Sequence, residues 1–160
     1  MKTWSESVRD ALVSGTVASA TSTAVLAACG AAQAGSPYAP TNAISHWYFG
    51  DRAARQDRPS WRYTAAGLAT HQGASVLWGT CYEKLAGARR NRNTPAQNLL
   101  DAALVGALAC FVDYRLTPRR LMPGYEQRID RRALFAVYTS FAAGLALGGA
   151  LLSITSGGRR

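Results

Sequence analysis

The chain has 160 residues, 48% of them hydrophobic, and a formal net charge of +9 from 18 basic and 9 acidic residues. The basic residues are not gathered on one polar face with interleaved aromatics, which argues against a nucleic-acid partner. Four membrane crossings at roughly 20 residues each leave about 80 residues, too few for a separate catalytic domain.

Charge is segregated along the chain. Ala11–Gly50, Tyr63–Tyr82, Ala102–Val112 and Ala133–Gly158 contain no Asp, Glu, Lys or Arg. The mean hydropathy of −0.07 is lowered by basic residues packed into short connections, so the segregation, not the mean, identifies a polytopic membrane protein. The expected fold is all-α: a single-domain integral membrane four-helix bundle. Its spans fall at about 11–34, 61–85, 99–116 and 133–154, with an interfacial helix between the first two.

The first span is rich in Ala, Ser, Thr and Gly, and Gly35, Pro37 and Pro40 end it. It contains Leu26-Ala27-Ala28-Cys29, which resembles a lipoprotein cleavage box. Glu6, Asp10 and the many hydroxyl residues before it argue against a cleaved leader. Cys29, Cys81 and Cys110 lack metal-ligand spacing and read as small buried residues. The stretch Thr41–Gln56 opens aromatic and closes charged; being too short to span, it reads as a helix lying at the interface.

Pro59 breaks that element, and the second span begins at Trp61. Ala88–Gln97 is a polar turn, the third span follows, and Arg119–Arg132 is a basic loop with a Pro-Gly turn before the fourth. Four spans place both termini on one side. That side carries eight basic residues, Arg159 and Arg160 among them, and the other side ten, so the positive-inside rule leaves orientation open. The compact basic turn at residues 88–93 favours cytoplasmic termini.

Small residues recur every fourth position: Gly15, Ser19, Thr23, Ala27 and Ala31 in the first span; Ala102, Gly106 and Cys110 in the third; Ala136, Ser140, Gly144 and Gly148 in the fourth. In lipid such stripes let backbones approach closely and gain dispersion contacts. They predict a tight bundle, or one that presents a stripe to another membrane protein or to a second copy. A close-packed small-residue core argues against a wide pore.

His71 lies nine residues after Arg62, about 13 Å into the core. With Thr64, Gly67, Ser75, Trp78 and Tyr82 it forms one polar and aromatic stripe. An ionisable group at that depth is a functional candidate; the plain alternative is a neutral histidine bonded to Ser75, Thr70 or a neighbouring helix. Asp101 and Asp113 are twelve residues apart, about 18 Å along a helix. A core of about 30 Å therefore holds at least one of them, and the polar run before Leu99 makes Asp113 the more buried. Arg115 can snorkel outward from the same turn. Asp113 then either pairs with an Arg to fix helix register or handles protons together with His71.

His46 and His71 are the only histidines. A b-type haem on both requires the two rings at one depth, and hence a deeply re-entrant Thr41–Gln56; no other cofactor and no metal site is implied. Ser75 follows His71 by four residues, but Gly73-Ala74-Ser75-Val76-Leu77 is not a GxSxG elbow, which argues against a hydrolase. The only lysines, Lys2 and Lys84, lie outside the spans, which disfavours retinal.

Thr70-His71…Ser75…Trp78…Tyr82, Gly106-Ala107 and Leu116…Pro118…Pro123-Gly124-Tyr125-Glu126 together resemble small proteobacterial inner-membrane proteins without an assigned reaction, distantly the YagU type. The resemblance covers Trp61–Gly148 and implies a four-helix inner-membrane protein; no site is carried over. The expected function is that of a multi-pass bacterial inner-membrane protein with a non-catalytic, structural or accessory role. Proton or ion handling by His71 and Asp113 is the alternative, and haem b or quinone binding the third.

Overall fold

The computed structural model describes residues 2–90 and 92–157; Gly158, Arg159 and Arg160, counted above in the charge balance, lie outside the described residues. The chain is all-α, with no strand among the described residues. Helix α1 spans Trp4–Ala34, α2 Ala39–Ile44 and α3 His46–Phe49, followed by a 3-10 segment at Gly50–Arg55. A π-helical turn, Trp61–Ala65, leads into α4 (Ala66–Leu85). Helix α5 (Pro95–Phe111) runs into a second π-helical turn at Val112–Leu116, and α6 spans Arg131–Gly157.

Each long helix starts at a side-chain cap. Thr3 and Glu6 form a capping box, Glu6 Oε2 accepting from Thr3 N at 2.7 Å and Thr3 Oγ1 from Glu6 N at 3.2 Å. Thr94 and Gln97 repeat it at 3.2 and 2.8 Å, with Pro95 at the first helical position. Ser60 Oγ accepts from Tyr63 N, and Asp130 Oδ1 from Ala133 N. That bond holds the Asp130 carboxyl below the ordinary aspartate range. Because capping residues lie outside the apolar run, α1, α5 and α6 begin two to seven residues before the spans read from charge segregation. Two helices, α1 and α6, are long and apolar enough to cross a membrane. Helix α5 has 17 residues, and α4 carries Gln72, Glu83 and Lys84.

The expected single interfacial helix over Thr41–Gln56 is corrected to α2, α3 and a 3-10 segment. Gly50, at φ 62°, breaks it, and all of Ala39–Ile44 is buried in protein. Burial of its amide side chain, Asn42, is offset by hydrogen bonds at both ends. Asn42 Nδ2 donates to the carbonyls of Gln56 (2.9 Å) and Arg58 (3.0 Å), and its Oδ1 accepts from Thr64 Oγ1 (2.6 Å). Trp47 Nε1 donates to Met122 O at 2.8 Å.

The chain divides into two compact units, to both of which α1, α4, α5 and α6 contribute. One comprises Met1–Thr21, Gln72–Ala109 and Thr139–Arg160, the other Ser22–His71 and Cys110–Tyr138. The core of the first gathers Ala18, Tyr82, Ala102, Val105, Phe141 and Leu145; that of the second gathers Leu26, Ile44, Tyr125, Ile129, Ala133 and Val137.

Within the first unit the small-residue stripes face one another. A Cβ on Gly148 would stand 2.5 Å from Ser14 Cα, and one on Gly144 2.5 Å from Ala18 Cα. Similarly a Cβ on Gly79 would meet Gly15 Cα at 3.0 Å, and one on Gly15 would meet Ser75 O at 2.7 Å. Thr21 Oγ1 also donates to Ser140 O at 3.0 Å. Ser19 and Gly106 are buried as well. Gly15 of the first-span stripe and Gly144 and Gly148 of the last are therefore covered inside the chain.

Candidate functional site

Two polar centres, one in each unit, hold the ionisable chemistry. In the first, Glu83 is completely buried near the end of α4. Its Oε2 accepts from Lys2 Nζ at 2.6 Å and from Arg90 Nη1 at 2.7 Å. Lys2 also pairs with Asp10 at 2.7 Å, and Arg90 Nε donates to Ser153 Oγ at 3.2 Å. A single carboxylate thus ties the start of the chain to the α4–α5 turn, and Arg90 joins that turn to α6. Lys84 supports the arrangement, donating to Lys2 O at 2.5 Å with its ammonium 5.0 Å from the Trp4 ring centroid. Among the described residues Glu83 Oε1 is buried without a hydrogen-bond partner.

The second centre surrounds Asp113, which lies in the π-helical turn after α5. Tyr138 of α6 donates to Asp113 Oδ2 at 2.5 Å, and Tyr125 donates to Tyr138 at 3.1 Å. Tyr114 packs edge-on against Tyr138 with centroids 6.1 Å apart, and donates to Glu126 Oε2 at 3.4 Å. Glu126 is held by the Gly124 N–H at 2.7 Å. Burial pushes the Tyr125 phenol far above its usual range, so it stays a donor. The expected Asp113–Arg pair is corrected: Arg115 is exposed, and a Tyr138 hydroxyl, not a guanidinium, is bonded to the carboxylate. A neutral donor satisfies one carboxylate oxygen at this depth without desolvating a second charge.

His71 Nε2 and Ser22 Oγ of α1 lie 2.9 Å apart. The partner is thus on a neighbouring helix rather than Ser75, which is buried in the other unit, or Thr70, whose hydroxyl donates to Ala66 O at 2.8 Å. His46 Nδ1 lies 2.9 Å from Ala43 O, and its buried Nε2 has no hydrogen-bond partner among the described residues. Both histidines thus use one ring nitrogen within the protein. Asp101, on α5, is reached from the polar turn by Arg89 at 3.4 Å and Asn93 at 3.3 Å. Among the described residues no three His, Cys, Asp or Glu side chains converge as metal ligands.

Comparison of the chain with protein-family models, with curated proteins and with solved structures gave no match.

Glu83, Arg90, Tyr125 and Tyr138 were not among the candidates read from sequence. Glu83 had a signal, as the first acid after a twenty-residue run free of charge. Tyr138 had one too: a carboxylate at the depth of Asp113 needs a donor from another helix, and α6 offers few.

Proposed function

We propose that this chain is a four-span α-helical protein of a bacterial inner membrane, without catalytic activity of its own, that serves as a structural or accessory subunit. The observation that carries this reading is an inversion of polarity. Ser7, Ser14, Ser22, Ser75 and Glu83 are buried, whereas Leu100, Leu104, Leu108 and Phe111 form an outward stripe on α5, Leu104 being 61% exposed. Leu77 and Phe135 are also exposed. An apolar surface of this extent suits lipid and not water. Since Gly15, Gly144 and Gly148 are covered internally, a partner or second copy is expected on the outward leucine faces.

Alkaline carbonate should leave the protein in the membrane pellet. In a background lacking Cys29, Cys81 and Cys110, single cysteines at Ser5 and Arg92 should label from one side, and those at Arg58 and Arg119 from the other. A cysteine at Leu104 should cross-link in native membranes to a second copy or to another membrane protein. Mixed labelling refutes four spans, and absence of any Leu104 adduct refutes the accessory role.

The Tyr125–Tyr138–Asp113 chain of hydrogen bonds favours one alternative, proton handling, because it offers a pathway of exchangeable protons ending on a carboxylate. Asp113→Asn should then abolish a pH-driven flux in liposomes while the protein still folds. Wild-type liposomes with no flux above empty ones across about pH 5 to 8 rule this alternative out.

A further inference from the structure

A polar cleft of about 590 Å³ opens in the second unit, lined by Gln33 and Ala34 at the end of α1, Asp51 and Arg55 of the 3-10 segment, and Gln127 and Arg128 before α6. Its volume falls in the range of small-molecule sites. The side chains of Asp51 and Arg55 are exposed and make no hydrogen bond or ion pair with the described residues, so each is open to a ligand. Arg128 is fixed in place: Nη1 donates to Ala54 O at 2.7 Å and Nη2 to Asp57 at 2.5 Å. Of the five N–H donors of a guanidinium, this leaves three. Gln33 Oε1 accepts from Asp130 N at 2.8 Å, which leaves its amide N–H groups as donors.

The lining has two signs. Arg55 and Arg128 supply forked donors of the kind that grip phosphate oxygens. Asp51 and the carbonyl end of α1, which bears the negative end of a 31-residue helix dipole, suit a cation that donates hydrogen bonds. A purely anionic ligand would meet Asp51 and the helix end unfavourably, and a quaternary ammonium would leave the acceptors without N–H donors. The depth is equally informative. Gln33 and Ala34 are the last residues of α1, and Gln127 and Arg128 stand just before Arg131, where α6 begins. Both flanked helices are long and apolar enough to cross a membrane; on the membrane reading proposed above, the cleft falls where their apolar runs give way to headgroups.

We propose that this cleft binds the headgroup of a zwitterionic aminophospholipid, its phosphodiester on Arg55 and Arg128 and its primary ammonium on Asp51 and the end of α1. The proposal rests on the membrane reading for the source of the ligand, and on the cleft alone for the headgroup chemistry. Delipidated protein in detergent is titrated by native mass spectrometry with phosphatidylethanolamine, phosphatidylcholine and phosphatidylglycerol of identical acyl chains. Phosphatidylethanolamine should be retained preferentially. Asp51→Asn should remove that preference while phosphatidylglycerol binding holds or rises. Arg55→Gln should weaken both lipids about tenfold, equivalent to about 1.4 kcal/mol.

Equal retention of the three lipids by wild type, or an unchanged preference in Asp51→Asn, overturns the proposal. Calorimetric titration with soluble glycerophosphoethanolamine separates the two premises. If carbonate extracts the protein from membranes, yet the soluble headgroup binds and Asp51→Asn weakens it, the membrane reading fails and the headgroup site stands. Equal affinity for the soluble headgroup and the intact lipid overturns the lipid source. Binding of neither overturns the site.

Discussion

Replacing Gly144 and Gly148 together by Leu is expected to prevent the first unit from folding, and not merely to dissolve an oligomer. The reason is what lies opposite. A Cβ at either glycine would stand 2.5 Å from a Cα of α1, Ala18 for Gly144 and Ser14 for Gly148. Backbone cannot rotate away as the end of a flexible side chain can, so α1 and α6 would have to separate. Overpacking of a close-packed interior costs about 1–3 kcal/mol for a few added methylenes, and two isobutyl groups against backbone exceed that. Separation would also expose Thr21, which bridges to Ser140, and would open the cluster of Ala18, Phe141 and Leu145. Single Ala replacements should already lower the midpoint of thermal unfolding in detergent, and the double Leu variant should elute as aggregate. Gly73 is the control: none of the described residues lies within 4 Å of a Cβ there, so Gly73→Ala should stabilise α4 by about 0.5–1 kcal/mol. A folded, stable double Leu variant that has lost only a partner would place the stripe on the outside.

The same stripes show what the sequence can and cannot disclose. The four-residue spacing of Gly144 and Gly148 identifies a face made for close approach. It does not name the surface that covers it, because that depends on how each helix is rotated about its axis. The positions of the four long helices were legible from charge segregation, yet their starts were not. Hydropathy marks where a chain turns apolar, whereas a helix begins where its first N–H groups find acceptors, at Thr3, Ser60, Thr94 and Asp130. Those capping residues stand in the sequence and are a better guide to helix ends than the apolar run.

Between Thr41 and Gln56 an apolar and aromatic opening, a charged close and a length too short to span suggested a helix lying at the interface. Thr41, Asn42 and Ser45 are instead buried, and carbonyls and hydroxyls contributed by residues as distant as Thr64 satisfy Asn42 and Ser45. Asp113 was identified as the buried carboxylate, but its partner is 25 residues away on α6. His71 meets Ser22 across 49 residues. Local spacing reveals that a polar group is in the interior; only tertiary packing decides which donor serves it.

Glu83→Leu is expected to be the most costly single substitution at the ionisable centres, at about 3–5 kcal/mol, the range for breaking a buried ion pair from one side. The two cations that Glu83 serves are not equally dependent on it. Lys2 keeps Asp10 at 2.7 Å, whereas Arg90, 7% exposed, is left with the Ser153 hydroxyl at 3.2 Å as its remaining side-chain partner among the described residues. The penalty should therefore come mainly from the Arg90 guanidinium stranded in the interior. It follows that Arg90→Leu in the Glu83→Leu background should recover much of the loss, since replacing both charges by apolar groups removes the desolvation cost as well as the attraction. The recovery will be incomplete, because Lys2 and Ser153 lose a contact that neither leucine replaces. A double-mutant cycle on unfolding in detergent should then give a coupling energy at or above the upper part of the range for contacting residues, about 0.5–3 kcal/mol. Glu83→Gln should fall between wild type and Glu83→Leu, because its amide oxygen still accepts from Arg90 without neutralising it. Additive single and double effects, or a Glu83→Leu variant within about 0.5 kcal/mol of wild type, the range of ordinary surface changes, would mean that this end of the fold is held by the packing of Tyr82, Ala86 and Ala102 rather than by its charges.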